Sequence, residues 1–201
     1  MIKDNKVVLE SCTRLVLLGG GTLMPDVVEK ALKIGYAIDV ITSPRHASED
    51  VGEGISLSEV LKKYPINVIV SVDINESSTV KYLKSLNKDT LFLSLGAAWI
   101  FSEEFISNVL GGRLFNLHGS RLPQNRGGGG FSWQIMMGNR FGFCLIHLVD
   151  AGVDTGSIVD FEEFIYPHEC KYPIQYIDYY KKKNIRFIGR IIKRAFEKKS
   201  T

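Results

Sequence analysis

The sequence predicts an α/β fold: Rossmann-like, with a mostly parallel sheet and helices on both faces. Three observations carry this. Through residue 118, apolar runs of strand length alternate with stretches of helix length, the pattern of repeated βα units. The first such run, RLVLLGGG (14–21), empties into a glycine turn followed by a helix start at Pro25. Later, FGFCLIHLVD (141–150) and GSIVDFEEF (156–164) are apolar runs joined by turn-rich chain rather than by a helix, so antiparallel strands are expected to extend the sheet.

Each element follows from its own residues. PDVVEKALKIG (25–35) reads as a helix with Pro25 in its first turn and Gly35 as its stop, and YAIDVITS (36–43) as the second strand. SPRHASEDVGEG (43–54) reads as a loop, and SLSEVLKKY (56–64) as a short helix capped by Ser56 or Ser58. NVIVSVD (67–73) is the third strand, NESSTVKYLKSLN (75–87) a helix, and TLFLSLGAAWI (90–100) a fourth strand leaving through Gly96. SEEFISNVLGG (102–112) reads as a helix with Ser102 as cap and acids in its first turn. RLFNLH (113–118) is the fifth strand, and FSWQIMMGN (131–139) a short helix ended by Gly138. From Tyr172 onward, Ile174, Ile177, Ile185, Ile188, Ile192 and Phe196 recur at steps that predict a helix over 172–198 with that face on the sheet. Length favours a single domain, 1–201.

Composition narrows the classes. No run is long enough to span a membrane, and the N-terminal residues lack the apolar core of a secretory signal. Cys12, Cys144 and Cys170 form no paired framework, which predicts free thiols in a reducing cytoplasm. The net charge of +3 hides an asymmetry, because residues 181–201 carry nine Lys/Arg against one Glu. Such a run is expected to be the solvated face of a terminal helix; neither nucleic acid nor membrane is an expected partner. An exposed sheet edge would permit a homodimer.

Three stretches carry candidate chemistry. In LGGGTLMPD (18–26), a glycine turn feeding a helix can hold an anion on backbone N–H groups. Gly19 and Gly21 fill the first two places of a dinucleotide fingerprint, but Met24 occupies the third, and no Walker Lys follows. A ligand-free turn and a substrate-facing loop therefore stay open. In FNLHGS (115–120), Asn116 and His118 share one face of a strand at its C-terminal end, where open α/β sheets bind ligands. In HLVDAGVDTG (147–156), Asp150 and Asp154 bracket a glycine turn, where Asp also serves turn geometry. Asn, His and Asp together suit acyl transfer: Asn offers a neutral hydrogen bond to a carbonyl oxygen, charged His a stronger one, and Asp orients the His. An acceptor amine removes the need for a Ser or Cys nucleophile, and the set requires no metal. His147, inside CLIHLV (144–149), reads as structural, and His46 and His168 as loop residues.

FNLHGSRLPQNRGG (115–128) followed by GFCLIHLVDAGVDTGSIV (142–159) resembles the folate-dependent formyltransferases, with Asn116, His118, Ser120, Pro123, Arg126, Gly127, Trp133, His147, Asp154, Thr155 and Gly156 in matching places. The resemblance implies the formyltransferase fold, N10-formyltetrahydrofolate as cofactor, and formyl transfer to the amine of a small molecule such as a nucleotide sugar or ribonucleotide. It implies Asn116, His118 and Asp154 as catalytic residues. Leu95, Gly96, Ala97, Trp99, Ile100 and Asp150 would contact the folate, and Gly19, Gly20, Gly21, Thr22, Arg126 and Gly127 the acceptor. Arg121, where the family has Leu, and Gly130, often Pro, depart from the pattern. The alternative is a binding module of the same fold for a folate or nucleotide-linked ligand, with catalysis weakened. Gly127 to Gly130 are expected either to let a loop swing over the cleft or to form a flexible turn.

Overall fold

The structure, a computed structural model, describes residues 2, 3, 6, 7 and 11–197. Two short strands, β1 (Ile2–Lys3) and β2 (Lys6–Val7), pair antiparallel. The main chain path then runs β3 (Arg14–Gly19), α1 (Met24–Ile34), β4 (Ala37–Thr42), α2 (Pro44–Ala47), α3 (Leu57–Leu61), β5 (Asn67–Val70), α4 (Ser77–Ser85) and β6 (Thr90–Leu95). A π-helical turn (Phe105–Val109) leads to β7 (Leu114–His118), α5 (Gly130–Met136), β8 (Phe141–Leu148), β9 (Ile158–Ile165) and α6 (Pro173–Glu197).

Strands β3 to β9 form one seven-stranded sheet in the order β5-β4-β3-β6-β7-β8-β9. Strands β3 to β7 are parallel. β8 runs antiparallel to β7, and β9 antiparallel to β8, as the change of pattern after residue 140 predicts. The order reverses between β3 and β6, which opens a crevice at the strands' C-terminal ends. Apolar side chains pack in two layers. One joins α1, α3 and α6 to the sheet through residues such as Leu17, Val28, Leu61, Phe115 and Ile188. The other joins α4 and the π-turn to the opposite face through Leu18, Leu83, Phe92, Phe105 and Leu114.

Three local expectations need correction. The segment 43–54 is not all loop: Ser43 accepts a hydrogen bond from the His46 N–H and caps the four-residue helix α2. The helix after Ser102 widens into a π-turn, with the Leu110 N–H bonding the Phe105 carbonyl. The wider turn brings Phe105, Ile106 and Leu110 together into the core. On α6, Ile174 and Ile177 are exposed, the first by 61%. Ile188 and Ile192 are buried as expected, and Tyr176, Asn184, Phe187, Ile191 and Ala195 complete the buried face. The Tyr166 ring packs at a tilt against Tyr176 and Tyr179, with centroids 4.7 and 5.8 Å away, so aromatic packing sets the rotation of the helix's first turns. Part of the basic face of α6 is paired: Lys181 with Asp26, and Lys183, Arg190 and Arg194 with Asp160 and Glu162 of β9, while Lys182 and Arg186 are exposed.

The glycine turn after β3 is a packing requirement first. Gly19 has φ +127°, and a Cβ there would lie 2.2 Å from the Leu95 carbonyl oxygen, while the adjacent Gly20 N–H bonds that same oxygen. A Cβ on Gly20 would meet the His46 ring at 2.6 Å. His46 is buried; its Nε2 lies 2.7 Å from Arg45 Nη2. Guanidinium only donates, so Nε2 accepts and the proton sits on Nδ1, which has no partner among the described residues. Burial and then the Arg45 charge push the His46 pKa below its ordinary value.

Gly19→Ala should therefore cost roughly 2–4 kcal/mol in denaturant unfolding, from backbone strain plus the clash. Gly21→Ala, at φ +88° with nothing within 4 Å of its Cβ position, should cost about 1 kcal/mol from strain alone. His46 charges more readily in the unfolded chain. Its contribution to stability is thus complete above its unfolded pKa of 6.5 and is lost as pH falls below that value. The variant His46→Gln should show a flatter loss of stability on acidification than the parent.

Candidate active site

Asn116 and His118 alternate with Phe115 and Leu117 along β7, so both polar side chains fall on one face of the sheet. Because β8 is antiparallel, it lays His147 directly opposite Asn116 in register, with Leu145 opposite His118. Asp154 enters from the β8–β9 connection with φ +50°, a left-handed conformation that Asp tolerates better than most residues. That connection is closely drawn: a Cβ on Gly156 would overlap the Leu148 carbonyl oxygen at 1.8 Å. Asp150 braces it by accepting from Thr155 Oγ1 at 2.5 Å and from the Gly152 N–H at 3.2 Å.

The four side chains meet around the Asp154 carboxylate. Its Oδ2 accepts the Gly127 N–H at 2.8 Å and lies 3.5 Å from His118 Nδ1. Its Oδ1 lies 3.3 Å from His147 Nε2 and 3.5 Å from Asn116 Nδ2. Asn116 Nδ2 is also 3.1 Å from His147 Nε2. His147 is only 2% exposed and His118 8%. The His147 that an apolar strand suggested to be structural is therefore part of the cluster. The signal was present: an imidazole inside CLIHLV must find a polar partner once buried.

The far nitrogens of both rings define the tautomers. His118 Nε2 lies 2.8 Å from the Asn125 carbonyl oxygen, with Ser120 Oγ at 2.9 Å. His147 Nδ1 lies 2.7 Å from the Leu148 carbonyl oxygen. A carbonyl only accepts, so these nitrogens carry protons and donate. In the neutral rings, the lone pairs are then on His118 Nδ1 and His147 Nε2, the two atoms facing Asp154.

Two cavities meet here. One, of about 450 Å³, is walled by the β6–π-turn segment and the Asp154 loop, and includes Gly96, Ala97, Trp99, Ile100, Asn116, His118, Asp150 and Asp154. The other, of about 350 Å³, is walled by Thr22, Leu23, Ser120, Phe131, Ile177, Tyr180 and Lys181. His118 and Gly127 line both. Of the expected folate contacts, Leu95 is buried beneath the first cavity with its carbonyl taken by Gly20, and the others line it. Of the expected acceptor contacts, Thr22 and Gly127 line the second cavity. Gly19 and Gly20 are buried against Leu95 and His46 rather than turned to it, and Gly21 is half-buried. Arg126 is exposed and lines neither cavity. In the glycine block, Gly127 and Gly129 have positive φ, and a Cβ on Gly130 would press Ser120 Oγ at 2.8 Å, behind His118.

Comparison with known proteins places this arrangement among relatives. The formyl transferase family matches residues 14–168. The bifunctional polymyxin resistance protein ArnA of Wigglesworthia glossinidia brevipalpis is 33% identical over 132 residues, 64% of this chain and 19% of that protein. Methionyl-tRNA formyltransferase of Agathobacter rectalis is 23% identical over 149 residues, 73% of this chain and 47% of that protein. The chain thus spans less than half the length of these two relatives. Its fold is similar to the crystal structure of phosphoribosylglycinamide formyltransferase from Bacillus halodurans, with TM-score 0.72 and 20% identity over 92% of this chain and 96% of that one. It is also similar to an N-formyltransferase from Helicobacter canadensis in complex with folinic acid and dTDP-3-aminofucose, with TM-score 0.68 and 20% identity over 92% and 64% of the two chains.

Imidazole nitrogen NMR at a pH where both rings are neutral should show the Nε2–H tautomer for His118 and the Nδ1–H tautomer for His147. The opposite tautomer at either ring would mean that its bond to the backbone carbonyl is not made in solution.

Proposed function

The chain belongs to the formyl transferase family, and from that premise we propose that it transfers a formyl group from N10-formyltetrahydrofolate to an amine on a small-molecule acceptor. The observation that carries the reading is the seam between the two cavities. His118 lines both, and Asn116 and Asp154 lie beside it. A donor in the larger cavity and an acceptor in the smaller would bring their reactive atoms to the same side chains.

The larger cavity suits a folate. Its volume is within the usual range of small-molecule sites. Ile100 holds an apolar side chain 88% exposed at its wall, a surface that a planar ring would cover. Gly96 is left-handed with nothing within 4 Å of its Cβ position, so its backbone is open to close approach. Asp150 offers a carboxylate at the same wall. The similar Helicobacter canadensis structure contains both folinic acid and an amino-sugar nucleotide, which supports a folate and an acceptor held together on this fold. The smaller cavity mixes Leu23, Phe131 and Ile177 with Thr22, Tyr180 and Lys181, a wall able to take a sugar or ribose with polar substituents.

The donor, when bound, supplies a formyl carbon open to attack by the neutral acceptor amine. As that C–N bond forms, negative charge develops on the formyl oxygen. Asn116 Nδ2 donates to it. His118 has its Nε2 proton committed to the Asn125 carbonyl, so it acts through Nδ1. Protonated there, it donates toward the oxygen while Asp154 Oδ2, 3.5 Å away, balances its charge. Asp154 also receives the proton leaving the amine, through water. The breaking of the bond to N10 requires a proton on that nitrogen, and the His118–Asp154 pair would pass on the one taken from the amine. Gly127 fixes the carboxylate from the acceptor side through its N–H.

Asn116→Ala, His118→Ala and Asp154→Ala should each lower turnover by about 10²–10³, the usual effect of losing one such donor or its orienting partner, without loss of the folded signal in circular dichroism. The assay is a panel of amine acceptors, including nucleotide-linked amino sugars and amino ribonucleotides, incubated with formyltetrahydrofolate and read by product mass. Binding of a stable folate analogue without transfer to any amine would replace this reading with a binding module.

A further inference from the structure

We propose that the cluster His118, His147 and Asp154 is a binding site for a divalent transition-metal ion of the Zn²⁺ type. The inference concerns the donor set itself and holds whether or not formyl transfer is the activity.

Three features support it. The first is distance. The ligand atoms, one imidazole nitrogen from each His and a carboxylate oxygen, all lie within 4.8 Å of one another. His118 Nδ1 and His147 Nε2 are 3.5 and 3.3 Å from the carboxylate oxygens they face. Donors arranged tetrahedrally around zinc at its usual bond lengths stand about 3.4 Å apart. A small inward shift of the two rings would complete the set.

The second is the direction of the lone pairs. Each ring gives its other N–H to a backbone carbonyl, Asn125 for His118 and Leu148 for His147. Metal-ligating histidines are held this way, because the outer bond fixes the tautomer and points the free lone pair inward. Here two such lone pairs oppose one carboxylate. Such a donor set is complementary to a metal cation.

The third is enclosure. The Asp154 side chain is 16% exposed and the rings are buried, so a bound ion would be shielded from competing water. Turning the Asn116 amide by half a rotation would exchange its Nδ2, 3.1 Å from His147 Nε2, for an oxygen able to act as a fourth ligand.

An ion held there would occupy the His118 lone pair and the carboxylate together. It would displace the proton on which the proposed chemistry depends, so the site would act as a metal-sensitive brake rather than as a cofactor site.

The test uses the full chain and Co²⁺ as a spectroscopic probe, followed by Zn²⁺. One equivalent of Co²⁺ should give the intense visible bands of a four- or five-coordinate ion and be displaced by Zn²⁺. His147→Gln and Asp154→Asn, each checked for folding by circular dichroism, should weaken binding by at least about tenfold. His168→Ala removes an exposed histidine beside Glu169 and should leave binding unchanged. In the formyl-transfer assay, Zn²⁺ should inhibit and a chelator should restore activity. A weak octahedral spectrum would overturn the proposal. So would bands of full intensity in both His147→Gln and Asp154→Asn.

Discussion

The site depends on one carboxylate held where the backbone would not ordinarily place it. Asp154 sits in a left-handed conformation on a tightly drawn turn, and its two oxygens face four groups from three separate parts of the chain. Gly127 reaches it from the glycine block, Asn116 and His118 from β7, and His147 from β8. An unpaired buried carboxylate would be costly, so these elements are mutually constrained: none can move far without exposing or stranding the charge. The Thr155–Asp150 bond and the close fit of Gly156 under Leu148 keep the turn from relaxing into a cheaper conformation.

The sheet's change of direction is what makes this convergence available. In the parallel part, C-terminal ends of strands gather loops on one edge, which gives the crevice between β3 and β6. At β7 the pattern switches. The antiparallel β8 adds direct cross-strand pairing, so His147 is delivered opposite Asn116 by register rather than by a loop. The β8–β9 connection then returns to the same edge carrying Asp154. The parallel half shapes the cavities, while the antiparallel pair β7 and β8 supplies three of the four side chains and the β8–β9 connection the fourth.

Much of this is legible in the sequence because it follows from periodicity. Alternation along FNLH puts Asn116 and His118 on one face, and the loss of βα alternation after residue 140 signals antiparallel strands. What sequence reasoning misses depends on packing between distant segments. His147 looks structural until its strand's neighbour is known. Gly19 and Gly20 look like ligand-facing glycines, yet their lack of Cβ serves contacts with Leu95 and His46, from β6 and α2. The rotation of α6 misleads as well. Isoleucine spacing points to Ile174 and Ile177, whereas the ring cluster around Tyr166 buries Tyr176 and turns those isoleucines outward. Local pattern fixes which residues could face inward; only tertiary contact selects between two overlapping stripes.

That outward turn of the isoleucines separates two duties along one helix. Beyond Asn184, α6 is committed to covering the sheet through Phe187, Ile188, Ile192 and Ala195. Its first turns instead furnish Ile177, Tyr180 and Lys181 to the smaller cavity, and Lys181 ties that end to Asp26 of α1. The residues that α6 lends to the smaller cavity are thus carried on a different element from Asn116, His118, His147 and Asp154. Substitution in the first turns of this helix can reshape that cavity while the quartet around Asp154 stays untouched, so the two can vary independently on one scaffold.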